Sequence, residues 1–152
     1  MHIMVNMYYK IIASILPLHE IFAHCDVPCG IYDPKAAQTA AATVLKMTQK
    51  LIDEKLPNVQ DKGAMVSYQN AMTRYVITKE EHARKCKEEL LILWTDYFKP
   101  EHIIKFPELH NNFWMAAKLC SSTKQEVSIE HAGELVAAVD GIAEMFTASK
   151  KE

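Results

Sequence analysis

Glycine is scarce in this chain, with four in 152 residues. Together with abundant Ala, Lys, Glu, Leu and Met, that scarcity favours an all-helical protein. No segment alternates polar and apolar side chains as a half-buried strand does. Four cysteines are too few for a disulfide scaffold in a chain of this length. Basic charge is not in excess: the net charge is −2 with His counted neutral, which argues against a nucleic-acid partner. Long apolar runs are missing too. The most apolar stretch, Ile11 to Leu18, is far shorter than the ~20 residues a spanning helix needs, so no stable membrane association is expected. There is no internal repeat and no low-complexity run. What is present, 49% hydrophobic and 24% charged residues, is ordinary for one globular domain with a core of its own.

Residues 1–23 differ from the remainder. They are rich in Ile, Met, Tyr and Leu, and Lys10 is their only Lys or Arg. Such a weakly basic start, with Ile21 where a small residue is usual before a cleavage site, fits a processing leader better than a secretory signal. The corresponding expectation for location is cytoplasmic, with export or an organelle as the alternative if the leader acts as an address.

The chain from 35 onward reads as four helices. Asp33 is suited to cap a helix and Pro34 to open it. From Lys35 to Leu56, Ala37, Ala40, Val44, Met47 and Leu51 fall on one face, and Pro57 with Asn58 ends the run. A second helical pattern runs from Asp61 to Tyr97 through Met65, Tyr68, Met72, Ala83, Cys86, Leu90 and Leu93. Unbroken, it would span about 54 Å. Thr78-Lys79-Glu80-Glu81 matches a capping box, so a kink or restart is expected there. Phe98 to Phe106 reads as a connection. Pro107 opens a third helix through Cys120, with Phe113, Ala116, Ala117 and Cys120 on its apolar face, and Ser121-Ser122-Thr123 reads as a loop. Ser128 caps a fourth helix, with Leu135, Val136, Val139, Ile142, Ala143 and Phe146 as its buried stripe. Four amphipathic helices with short connections predict an all-α, antiparallel four-helix bundle.

The chemistry concentrates between leader and bundle, in His24-Cys25-Asp26-Val27-Pro28-Cys29-Gly30-Ile31-Tyr32-Asp33-Pro34. Thiolates and imidazoles are the soft and borderline donors that transition metals prefer. Pro28 and Gly30 suit a tight loop, in which a Cys-x-x-x-Cys pair can turn both sulfurs to one point. A planar set of two nitrogens and two sulfurs is the arrangement expected for divalent nickel or copper. Read on the residues alone, a Cys25–Cys29 disulfide or a zinc loop stays open beside it.

This string resembles the amino-terminal hook of nickel-containing superoxide dismutases. The resemblance continues through Leu93-Trp94-Thr95-Asp96-Tyr97-Phe98-Lys99-Pro100 and Pro107-Glu108-Leu109-His110, so it covers most of the chain from His24 onward. It implies a domain of residues 24–152, made of a hook at 24–34 and a helical bundle at 35–150. It implies one nickel ion per subunit, cycling between the divalent and trivalent states. Its ligands would be the His24 amine and imidazole, the Cys25 amide nitrogen, and the Cys25 and Cys29 thiolates. Cleavage before His24 by a leader peptidase would create the amine. Tyr32 matches the tyrosine that stands over the open metal face, and Asp26, Pro28 and Tyr97 match positions that support the hook. Superoxide is then the substrate, and the assembly a homohexamer.

Two positions depart from the family pattern. His82 falls where some members place an arginine that touches the hook imidazole, and Ala40 where some have a glutamate linked to it. The support of the His24 ring therefore does not transfer residue by residue. His82 and Cys86 also stand four apart on one helical face, a weak candidate for a second metal site. The charged residues around them, Lys79 to Lys87, read as a solvated stretch. Cys86 and Cys120 read as small buried hydrophobes, and no partner is legible for His102, His110 or His131. The rival functions are a non-catalytic nickel or copper carrier, and a helical bundle with a redox-sensitive Cys25–Cys29 pair.

Overall fold

The computed structural model describes residues 31–150. The leader and the hook residues His24, Cys25, Asp26, Pro28 and Cys29 lie outside the described residues, as does the proposed boundary at 23/24. All described helices belong to one unit, Tyr32–Glu152. They are α1 (Lys35–Asp53), α2 (Lys62–Ile92) running into a π-helical turn (Leu93–Tyr97), α3 (Pro100–Lys105), α4 (Leu109–Gln125) and α5 (Ile129–Ser149). α1 packs on α2 and α5, and α4 packs on α2 and α5. The architecture is the expected all-α antiparallel four-helix bundle, with α3 as an extra turn in the long connection.

Each helix end has a local cause. The Asp33 carboxylate accepts from the Lys35 N–H at 2.8 Å, while Pro34 takes the cap position and its carbonyl receives the Gln38 N–H at 3.0 Å. α1 stops at Asp53, short of the expected Leu56, because Glu54 turns extended. Residues 54–56 are exposed, so no packing carries the helix on to Pro57. Asp61 and Ser128 cap α2 and α5 through side-chain oxygens bonded to the Ala64 and His131 amides.

α2 is continuous through Thr78, so the helix does not restart there. The Thr78 carbonyl instead has His82 Nδ1 at 2.9 Å, and the capping-box residues continue the helix. The expected loop at Ser121-Ser122-Thr123 is likewise helix. Each hydroxyl donates to the carbonyl four residues back, so these residues meet their hydrogen-bond needs inside α4.

Lys79 departs from the sequence expectation. The charged stretch around it predicts solvation, yet it is 2% exposed. Its ammonium donates to the carbonyls of Thr123, Lys124 and Glu126, groups that a helix end leaves unpaired. One buried cation thus closes the end of α4, and its burial pulls its pKa below 10.5.

The core follows the expected faces. Ala37, Ala40, Ala41 and Val44 meet Ala83, Cys86 and Leu90, then Phe113, Ala116 and Cys120, then Ala132, Leu135, Val139, Ile142 and Phe146. Ala37, Ala40 and Ala41 of α1 are fully buried, so they serve close helix approach, whereas Ala42 is exposed.

Candidate metal centre

Tyr32 is the first expected site residue that the structure describes, three residues ahead of α1. Its half-buried ring packs on the core and lies 5.7 Å from that of Tyr97, tilted by 57°. Tyr97 comes from the π-helical turn. There the Phe98 N–H reaches back five residues to the Leu93 carbonyl, at 3.1 Å. The extra residue in that turn shifts the helical register. Trp94 stacks on Phe113, Phe98 enters the core, and Tyr97 turns toward Tyr32 and Phe146.

The Tyr97 hydroxyl has a defined role in this wall. It lies 2.7 Å from Ser149 Oγ, and Ser149 Oγ lies 2.7 Å from the Phe146 carbonyl. Serine has one hydroxyl proton, and the carbonyl can only accept. Ser149 therefore donates to Phe146, and Tyr97 donates to Ser149. His102 stacks on Tyr97, at 5.9 Å and 15°, and its Nδ1 accepts the Lys99 N–H at 3.0 Å. Trp94 Nε1 donates to His110 Nδ1 at 2.8 Å. Two histidines without a partner legible in the sequence thus tie the π-helical turn to its neighbours, His102 to α3 and His110 to α4. The sequence carries no signal for Ser149 and no partner for His102, since their pairing depends on residues that meet only in the fold.

The expected site residues do not all converge. Tyr32 and Tyr97 come together. His82 stands on α2, fifteen positions before Tyr97 and about 22 Å away along the axis at 1.5 Å per residue. Its described contact is to the Thr78 carbonyl. Ala40 is buried in the α1 interface. The weak His82–Cys86 candidate is not formed, and among the described residues no three His, Cys, Asp or Glu side chains converge on a metal position.

A groove of about 710 Å³ runs beside the start of α1, lined by Asp33, Gln38, Asp140, Glu144, Thr147 and Lys150 among others. Gln38 donates to Asp140 across it at 2.7 Å. Three carboxylates against one lysine make it unfavourable for an anion.

The donors that fit a metal are those of the hook string: two thiols and an imidazole within six residues, suited to nickel by ligand softness. Comparison with known proteins gives the same direction. The model of the nickel-containing superoxide dismutase family matches residues 19–150. The nickel superoxide dismutase of Streptomyces coelicolor is 33% identical over 129 residues, covering 83% of this chain and 89% of that protein. Its counterpart from Streptomyces seoulensis is 33% identical over 135 residues, covering 89% and 94%. A native nickel superoxide dismutase structure aligns at TM-score 0.72 and 32% identity, over 85% of this chain and 100% of that one. A structure whose nickel ligation corresponds to the oxidised state aligns at 0.71 and 32%, with the same coverage.

Proposed function

Because the chain belongs to the nickel-containing superoxide dismutase family, we propose that it disproportionates superoxide at a nickel ion held by His24, Cys25 and Cys29 once the chain has been cut before His24. Bound nickel supplies the one-electron couple that oxidises one superoxide to dioxygen and reduces the next to hydrogen peroxide. Thiolates and a deprotonated amide are strong donors, which is why this ligand set suits a higher oxidation state. Family membership does not favour the carrier alternative.

The chain's own residues do the rest. Cys25 and Cys29 would supply sulfur to the metal, and the Cys25 amide and His24 amine would supply nitrogen. The His24 imidazole would add a further nitrogen donor, and Asp26 and Pro28 would shape the loop. Tyr32 would limit access to the metal. Tyr97 backs the Tyr32 ring at 5.7 Å and is itself fixed by Ser149, so the tyrosine pair is held rigid from behind. His82 is the residue available in place of the family arginine, and its reach to the His24 ring is part of this proposal. The observation that carries the reading is the hook string directly preceding a Tyr32–Tyr97 wall in the family fold.

Cleavage changes the chemistry of one ligand. An internal amide nitrogen is planar and its lone pair is delocalised, whereas a terminal amine has a pKa near 8 and yields its proton to a metal at modest cost. A leader peptidase is the implied partner, with one nickel per subunit and a homohexameric assembly. Self-association is supported by the apolar side chains that α1 and α2 leave outside: Ile52, Val66 and Ile77 are each more than half exposed. A cytoplasmic location is the reading that fits the weakly basic leader.

The test is activity per bound nickel for the full chain and for protein beginning at His24, side by side. Activity is expected only in the second. Equal activity per nickel, with residues 1–23 confirmed by mass spectrometry, would refute the processing step and the amine ligand. Cys29→Ser protein should lose both activity and thiolate-to-nickel absorption.

A further inference from the structure

Two thiols at the centre of the bundle have no part in the metal site. Cys86 of α2 and Cys120 of α4 are free, and neither has exposed surface. The antiparallel register of these helices is set by three contacts: Trp94 with His110, Lys87 Nζ with Ser121 Oγ at 3.2 Å, and Lys79 with the Glu126 carbonyl at 2.9 Å. Position 86 of α2 falls opposite position 120 of α4 within that register, and both side chains are fully buried in the same core cluster. Closure to a disulfide therefore joins two side chains that the packed helices already hold at one level of the core.

The two thiols are unequal. The first proton leaves Cys120, because Cys86 S–H stays bonded to the sulfur left behind and Lys87 and Lys124 favour negative charge there, against the cost of burial. The hydrogen bond to Cys120, together with burial, makes the second proton, on Cys86, far harder to remove. Such asymmetry supplies one nucleophile and one resolving thiol.

We propose that Cys86 and Cys120 form a peroxide-responsive dithiol that closes into a disulfide between α2 and α4. The Cys120 thiolate attacks one oxygen of hydrogen peroxide and the O–O bond breaks. The departing hydroxide takes up the proton that Cys120 gave, forming water and leaving a sulfenic acid. The Cys86 sulfur then attacks the Cys120 sulfur, and the sulfenic hydroxyl leaves with the Cys86 proton as a second water. Two thiols lose two electrons and one peroxide becomes two waters. Dismutation releases this oxidant beside the same fold, and only for that source does the proposal rest on the dismutase reading. Full burial sets the selectivity: peroxide is close to water in size and enters through small openings, whereas a disulfide such as oxidised glutathione does not fit.

The experiment adds hydrogen peroxide in graded amounts to the full chain and to the nickel-loaded protein beginning at His24. Products are mapped as peptides under non-reducing conditions by mass spectrometry. The expected product is a Cys86–Cys120 crosslinked peptide, lighter by two hydrogens, with both thiols lost to alkylation after denaturation. The closed form should melt about 10 °C higher. Cys86→Ser should stop at a sulfenic acid on Cys120 that dimedone traps, and Cys120→Ser should leave Cys86 unoxidised. If a serine in the core unfolds either variant, the wild-type map decides alone. The proposal is overturned if both thiols stay alkylatable at peroxide levels that oxidise Cys25 and Cys29 in the metal-free chain, or if either bridges instead to the hook. Since the peroxide is added, an inactive dismutase leaves this result unaffected, and the two failures are told apart.

Discussion

The two ends of the bundle carry the same sequence pattern and have opposite fates. Ala83, Cys86 and Leu90 in the second half of α2, and Leu93 just after it, are buried. Met65, Tyr68, Met72 and Tyr75 in its first half keep the same helical spacing and are only half-buried, and no residue from 52 to 78 is buried. What differs is the opposing surface. α4 ends at Gln125 and α5 begins at Ile129, level with Lys79, so beyond that point α2 has only α1 to pack on. Periodicity says which face of a helix is apolar, and the neighbouring helices decide whether that face is covered. The covered end also carries the Tyr32–Tyr97 wall.

The contrast is sharpest in paired truncations. Phe113→Ala, at 1% exposure in the covered end, should cost ~3–5 kcal/mol in urea unfolding, whereas Met72→Ala should cost ~1 kcal/mol or less. Similar losses at both sites would mean that another surface, such as a second subunit, covers the α1–α2 extension in solution. Next comes the boundary residue. Lys79→Met keeps the packing but leaves three carbonyls without their donor, and should cost ~1–3 kcal/mol. Hydrogen exchange should then quicken at the end of α4, around 123–126, while α1 is unchanged; uniform quickening would show that Lys79 acts on the whole bundle. Tyr97→Phe removes the bond to Ser149, worth ~1 kcal/mol, and should change anion inhibition more than nickel content. Loss of nickel from that variant would make Tyr97 part of the hook's structure instead of its backing wall.

The smallest effect is in pH. The folded-state pKa of Lys79 is lowered by burial from 10.5, so the unfolded chain binds that proton more tightly. Stability from this group therefore rises as pH climbs through the folded pKa toward 10.5, and levels off above it. The difference between wild type and Lys79→Met should show this positive slope, at most ~1.4 kcal/mol per pH unit. A difference that shrinks with rising pH would mean that the three carbonyls outweigh burial.

The sequence was informative wherever one residue acts on its own neighbourhood. Ser128 caps α5 as its position implied, and the apolar spacings of α1, α4 and α5 mark the faces that are buried. Local signals misled where a larger context overrode them. The capping box at Thr78 describes a helix start that the chain does not need, because nothing upstream breaks the helix. Ser121-Ser122-Thr123 resembles a loop until its hydroxyls turn back on their own helix and Lys79 arrives from forty-four residues away to close the end. Pro100 did signal α3, as the first residue of a helix, within a stretch read as plain connection. At the site, the hook and Tyr32 were readable as a motif. Tyr97 was readable through family resemblance, while its dependence on Ser149 and His102 exists only after α5 and α3 have docked.

That dependence gives the site a schedule. Tyr32 leaves the ribosome early, and Ser149, which latches the tyrosine behind it, follows 117 residues later. At roughly 5–20 residues per second, the interval is about 6 to 23 s. During those seconds residues 24–29 are already outside while the Tyr32–Tyr97 wall is still loose. Nickel arriving in that window would meet the Cys25 and Cys29 thiols before the tyrosine wall had set.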